Sequence, residues 1–128
     1  YTTLFRSKEM LLKRVGDMND EELSLYRDHP VHGAEVLNSL HKFAPQILQI
    51  ALQHHEACNG SGFPFGLKKR EIYPISKLVY VIDLFCIRII DDGIHPVFTP
   101  FEAYQDIEKN HYEEVDPLLL KALKKMVS

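Results

Sequence analysis

The chain has 128 residues, of which 45% are hydrophobic and 26% charged. This is one globular domain with a single core, and the composition excludes a disordered polar chain. A formal charge of -3 and a pI near 6.2 give no general positive field, which excludes broad DNA, RNA or anionic-membrane attraction and leaves a phosphate partner dependent on a local patch.

Two cysteines, Cys58 and Cys86, do not make a disulfide framework, and the many histidines suit a reducing compartment. Cytoplasmic localisation is therefore expected. No apolar run reaches the length of a membrane span, and residues 1–15 lack a signal-peptide core. A chain that opens on Tyr1 is expected to be the C-terminal segment of a larger domain or protein, with a regulatory domain upstream.

Met10, Leu11 and Leu12 give a short helix-compatible run within Lys8 to Val15. Asn19-Asp20-Glu21-Glu22 is a capping signal, so a helix is predicted from there to about Asp28. His29-Pro30 is predicted to start a second helix, because proline at the first helical position loses only an N–H that would be unpaired anyway. Val31, Ala34, Val36, Leu37 and Leu40 form its expected buried face.

Pro45 starts a third helix. Ile47, Ile50, Ala51 and His54 fall at i, i+3, i+4 and i+7, with Leu48, Leu52 and His55 on the neighbouring stripe. Pro74 opens a long helix with an expected apolar stripe of Ile75, Leu78, Val79, Ile82, Phe85 and Ile89, beside which Asp83 is costly unless paired or bound to a cation. Thr99-Pro100-Phe101-Glu102 caps another helix. Asp116-Pro117 starts the last, carrying Leu118, Leu119, Leu123 and Met126. No segment alternates with a two-residue period, so the expected class is all-α, a bundle of about six helices.

The stretch with the strongest chemical character is His54-His55-Glu56-Ala57-Cys58-Asn59-Gly60-Ser61-Gly62-Phe63-Pro64-Phe65-Gly66-Leu67. Two adjacent imidazoles end an apolar helix, an acid follows, and a glycine-rich turn lets backbone approach a ligand closely. With His29 and Asp83 they make three imidazoles and a carboxylate, a credible ligand set for a divalent transition metal such as iron, manganese or zinc.

This stretch resembles the HHExxxGxGxP signature of HD-GYP domains, the branch of the HD phosphohydrolase superfamily whose active members hydrolyse cyclic di-GMP at a metal centre. The resemblance extends to His29-Pro30 with Gly33 upstream, Ile82-Asp83-Leu84-Phe85 downstream and Asp116-Pro117 near the end. It implies an HD-superfamily-like helical bundle, residues 1–128 being a single HD-GYP-like domain.

The His-Asp pair that names the superfamily occurs nowhere in the chain. Matching Met10-Leu11-Leu12-Lys13 to a family turn puts that dyad upstream of Tyr1, and a second register puts Thr3-Leu4 in its place. In the family the dyad aspartate bridges two metals, one also held by histidines matching His29, His54 and His55. The other is held by the dyad histidine and an aspartate matching Asp83. Without the dyad, the resemblance therefore implies at most one well-held metal in this chain, at the three histidines.

It also implies substrate contacts at Gly62, Phe63 and Pro64, with Phe63 standing where the family has tyrosine. The family's Arg-Pro-Tyr-Arg/Lys stretch reads Asp92-Gly93-Ile94-His95, so an acid replaces a phosphate-binding guanidinium.

Each residue also has a plainer reading. His29 is a ligand or a cap, His54 and His55 are ligands or satisfied core histidines, and Asp83 is a ligand or an ion-pair partner. Glu56 orients an imidazole from outside the ligand set or is solvated. Lys68, Lys69 and Arg70 contact substrate phosphates or form a solvated turn. Cys58 is a soft ligand or simply a neighbour of the loop, and His32, His41 and His111 are surface or packing residues. Three functions follow: a metal-dependent phosphohydrolase domain of the cyclic di-GMP phosphodiesterase type, diverged or incomplete; a non-catalytic sensor or interaction module that keeps the fold and at most one metal; or, third in order, a plain structural zinc site.

Overall fold

In the computed structural model, residues 13–128 are described. The Met10-Leu11-Leu12 run and both placements of the missing dyad lie outside them. A 3-10 turn, Val15–Asp17, precedes five α-helices: α1 Asp20–Ser39, α2 Pro45–Gln53, α3 Pro74–Ile89, α4 Pro100–Asn110 and α5 Pro117–Val127. Among the described residues there is no strand, only an isolated bridge between Asn59 and Lys68. No described helix is long and apolar enough to cross a membrane.

The predicted helix starts agree with the structure at five places. Asn19 accepts from the Glu22 N–H at 2.9 Å while Glu22 accepts from the Asn19 N–H at 3.0 Å, closing a reciprocal cap. Thr99 and Glu102 do the same for α4, and Asp116 accepts from the Leu118 N–H at 2.9 Å at α5. Pro45 and Pro74 each occupy the first position of a helix.

The expected break at His29-Pro30 does not occur. Pro30 lies inside α1, with under 2% of its side chain exposed. The hydrogen bond that its missing N–H would make is to the Tyr26 carbonyl, four residues back. That carbonyl instead accepts from the His29 ring, so the helix continues without an orphaned group.

α1 packs on α2, α2 on α3, and α3 on α4 and α5. The core is made by Val81, Tyr104, Ile107, Val115, Leu120 and Leu123, with Tyr80, Leu84 and Phe85 packed against it. This corrects the expected face of α3: Ser76 and Val81 are its buried residues, while Ile75, Leu78 and Ile82 are exposed. The same holds for α5, where Leu120 and Leu123 are buried and Leu118 and Met126 are exposed. Both helices are apolar on more than one side, so periodicity alone does not select the side that meets the core. In α1 only Pro30 and Ala34 are buried, and Leu40 is exposed.

Candidate metal centre

α1 supplies His29, and the turn that ends α2 supplies His54, its C-cap, and His55. One ligand nitrogen from each lies within 4.8 Å of the others, and they form the sole group of three or more such ligands among the described residues. The helix termini explain how the rings are oriented. Pro30 leaves the Tyr26 carbonyl open, and His29 Nδ1 bonds to it. The last carbonyls of α2 have no helical N–H partner, and His54 Nδ1 bonds to that of Ala51 at 2.7 Å.

A carbonyl only accepts, so each Nδ1 carries the proton and each Nε2 of a neutral ring presents a lone pair, an assignment made from the hydrogen bonds. Those two Nε2 atoms face each other at 3.1 Å. Two lone pairs at that distance repel unless a cation or a proton lies between them. Burial, the largest influence on His29, lowers its pKa, while its bond to Tyr26 and the charge of Asp83 oppose the change. Burial and the neighbouring His54 and His29 rings push His55 down to about 3. Neutral imidazole is the form that binds metal, so the donor set fits a divalent transition ion.

Tyr26 joins the cluster from one turn before His29. Its hydroxyl lies 3.4 Å from His55 Nε2, and burial followed by the charge of Asp83 raises it to about 12, so the phenol keeps its proton. Phe63 stacks on His55 with ring centroids 4.8 Å apart and planes at 17°, and meets Tyr26 edge-on at 5.5 Å. Sequence reading passed over Tyr26. Its spacing of three from His29 on one helix was the available signal.

The glycine-rich loop is built to reach the end of α2. A Cβ on Gly62 would lie 2.4 Å from both the His55 carbonyl oxygen and the Ala57 nitrogen, so glycine is required by close approach. Phe63 N–H donates to the His55 carbonyl at 3.2 Å.

Neither sequence reading of Glu56 matches its surroundings. The side chain is 1% exposed, and its two oxygens accept from the Phe65 N–H at 2.7 Å and the Leu67 N–H at 2.8 Å. It holds loop backbone, with no bond to an imidazole.

A cavity of about 510 Å³ opens beside the histidines, lined by Lys13, Arg14, Tyr26, His29, His55 and Asp83 among others. Asp83 is exposed rather than buried on α3, and its carboxylate lies outside the three-histidine cluster while sharing the cavity. Lys68 and Lys69 are not in the cavity lining. Lys68 N–H bonds to Glu71 at 2.8 Å, and the Lys69 ammonium pairs with Asp116 at 3.8 Å. Burial, then Asp116, raises the Cys58 thiol, which favours thiol over the thiolate that a soft ligand requires. His111 bonds to Glu114 at 2.6 Å, a packing contact.

Residues 6–119 match the HD domain family. The chain belongs to that family. This HD domain superposes on Bd1817, a HDG"Y"P protein from Bdellovibrio bacteriovorus, with a TM-score of 0.74 and 26% identity, over 91% of this chain and 36% of that one. It is 32% identical over 123 residues to the "Cyclic di-GMP phosphodiesterase" of Thermotoga maritima, covering 92% of this chain and 32% of that protein. It is also 32% identical over 75 residues to "Cyclic di-GMP phosphodiesterase PA4108" of Pseudomonas aeruginosa, covering 59% of this chain and 18% of that protein. These likenesses place the HD domain on the HD-GYP branch, and it spans a minor part of each relative.

Proposed function

We propose that this HD domain is a phosphodiesterase-type unit that takes a cyclic dinucleotide and holds one divalent transition metal with His29, His54 and His55. The observation that carries the reading is the pair of imidazole Nε2 atoms facing at 3.1 Å while both Nδ1 atoms are bound to backbone carbonyls. Iron, manganese and zinc all suit such imidazole donors. When bound, a divalent ion supplies electrophilic polarisation of a phosphoryl group.

The protein's own residues supply the rest. Tyr26 keeps a proton at the cavity wall and is a hydrogen-bond donor near neutral pH. Phe63 covers one face of His55 and limits its rotation. Glu56 fixes the loop that carries Phe63 and Pro64, the residues assigned to substrate contact with Gly62. Asp83 shares the cavity and contributes a carboxylate whose charge acts on His29 and Tyr26 from outside the three-histidine cluster. The names of the relatives support a phosphodiester substrate of the cyclic di-GMP class.

A second reading, a binding module that keeps one metal without turnover, is favoured by one observation. His29, His54 and His55 form the single ligand group among the described residues.

Elemental analysis of protein purified without chelators, beside a His54→Ala, His55→Ala double variant, tests the metal assignment. One metal per chain, lost in the variant, is expected; no metal in either protein overturns it, and two metals refute the single site. Cyclic di-GMP binding with hydrolysis above the variant's background then supports the enzyme, and binding without hydrolysis supports the module.

A further inference from the structure

A phosphodiester brought to this cavity needs a cation facing its non-bridging oxygens. Lys13 and Arg14 are the cations in the cavity lining. The Lys13 ammonium is already held by both oxygens of Glu22, at 2.7 and 3.0 Å.

Arg14 is held differently. Its Nε donates to Asp92 Oδ2 at 3.1 Å and its Nη2 to the Ile87 carbonyl at 3.1 Å. No hydrogen bond among the described residues engages Nη1. A guanidinium has five N–H donors in a rigid fork, so fixing one edge leaves another to bind an anion without further ordering of the side chain.

The anchor is itself well fixed. Asp92 Oδ1 accepts from the Ile94 and His95 N–H groups at 3.0 and 2.8 Å, and Oδ2 meets His95 Nδ1 at 2.7 Å. The other nitrogen of His95 meets Asp17 at 3.3 Å. Residues 14–17 and 92–95 are thereby tied together across the rim of the site. The acid at position 92, read from sequence as a lost guanidinium, holds a guanidinium delivered from 78 positions away.

We propose that Arg14 is the phosphate-binding residue of the cavity and that Asp92 is the residue that positions it. The proposal rests on the phosphodiester reading above.

The test is calorimetric titration of cyclic di-GMP into the metal-loaded full chain and its Arg14→Gln, Arg14→Lys and Asp92→Asn variants, with metal content and circular dichroism measured on each. Arg14→Gln is expected to weaken binding about ten- to hundredfold, the equivalent of one charge-assisted hydrogen bond or slightly more, at unchanged metal content. Its affinity should also depend less on ionic strength than that of the wild type. Arg14→Lys should recover part of the loss, and Asp92→Asn should fall between wild type and Arg14→Gln.

Binding by Arg14→Gln within twofold of wild type overturns the assignment while leaving the phosphodiester reading intact. Absence of binding by the wild type overturns that reading and this one with it, and is separable because it precedes any substitution. If Arg14→Gln does not fold, Asp92→Asn decides: it keeps the guanidinium and removes its anchor, and wild-type affinity there overturns the proposal.

Discussion

Replacing Pro30 with alanine separates helix stability from metal affinity. The new N–H at position 30 would reach for the Tyr26 carbonyl, the group that now accepts from His29 Nδ1. A helix interior favours Ala over Pro by about 3 kcal/mol. Against this, two ring methylenes leave a buried site, costing about 1.6 kcal/mol at about 0.8 each, and the freer unfolded chain costs about 0.4–1 kcal/mol. The metal-free variant should therefore lie within about 1 kcal/mol of the wild type. Its His29 ring, by contrast, must share the acceptor that fixes its tautomer and orientation, and loss of such an outer partner lowers metal affinity about 10- to 100-fold. Urea denaturation of the metal-free proteins and competition titration with a chromophoric zinc chelator measure the two quantities. Zinc affinity within twofold of wild type would refute the idea that the proline orients the ligand, and a stability loss above about 2 kcal/mol would show that packing of the Pro30 ring dominates.

Three further outcomes follow from the same geometry. Gly62→Ala forces a Cβ to within 2.4 Å of backbone atoms of His55 and Ala57; a loss of about 1–3 kcal/mol in chemical denaturation, with weaker zinc binding, is expected, and an unchanged midpoint would contradict the close approach. Glu56→Gln leaves one loop N–H facing an amide NH2 and gives the other only a neutral acceptor, and should cost about 1.5–3 kcal/mol, read by urea melts. Chelation should lower the melting temperature of the wild type, since an ion at a hundred times its Kd adds about 2.7 kcal/mol, and should leave the His54→Ala, His55→Ala protein unmoved.

Much of this architecture is legible in the residues. Asn19, Pro45, Pro74, Thr99 and Asp116 mark helix starts by local chemistry, and local chemistry survives folding. Pro30 misleads because a proline at a first helical position and one inside a helix look alike until the fate of the carbonyl four residues back is known. Ile75, Leu78 and Ile82 mislead for another reason: α3 carries apolar residues around its circumference, and its inward side is selected by Tyr104, Ile107 and Leu123 from later helices. The three histidines are visible as a set, but the orientation of their rings depends on which carbonyls the helix ends leave open. Arg14 gives no signal at all. Its placement depends on a partner far along the chain, and no pattern within a helix or turn encodes such a contact.

The bonds made by Glu56 bear on how the glycine-rich loop moves. The Phe65 side chain is 60% exposed, and the surrounding segment has no regular helix or ladder to protect it. Yet the Phe65 and Leu67 amides end on a carboxylate sealed from water. Opening either amide means uncovering that charge or leaving it unpaired inside the protein, a cost that surface loops ordinarily avoid. In hydrogen–deuterium exchange these two amides should persist far longer than those of Ser61 or Gly66, giving an outwardly irregular loop the slow exchange of a helix interior.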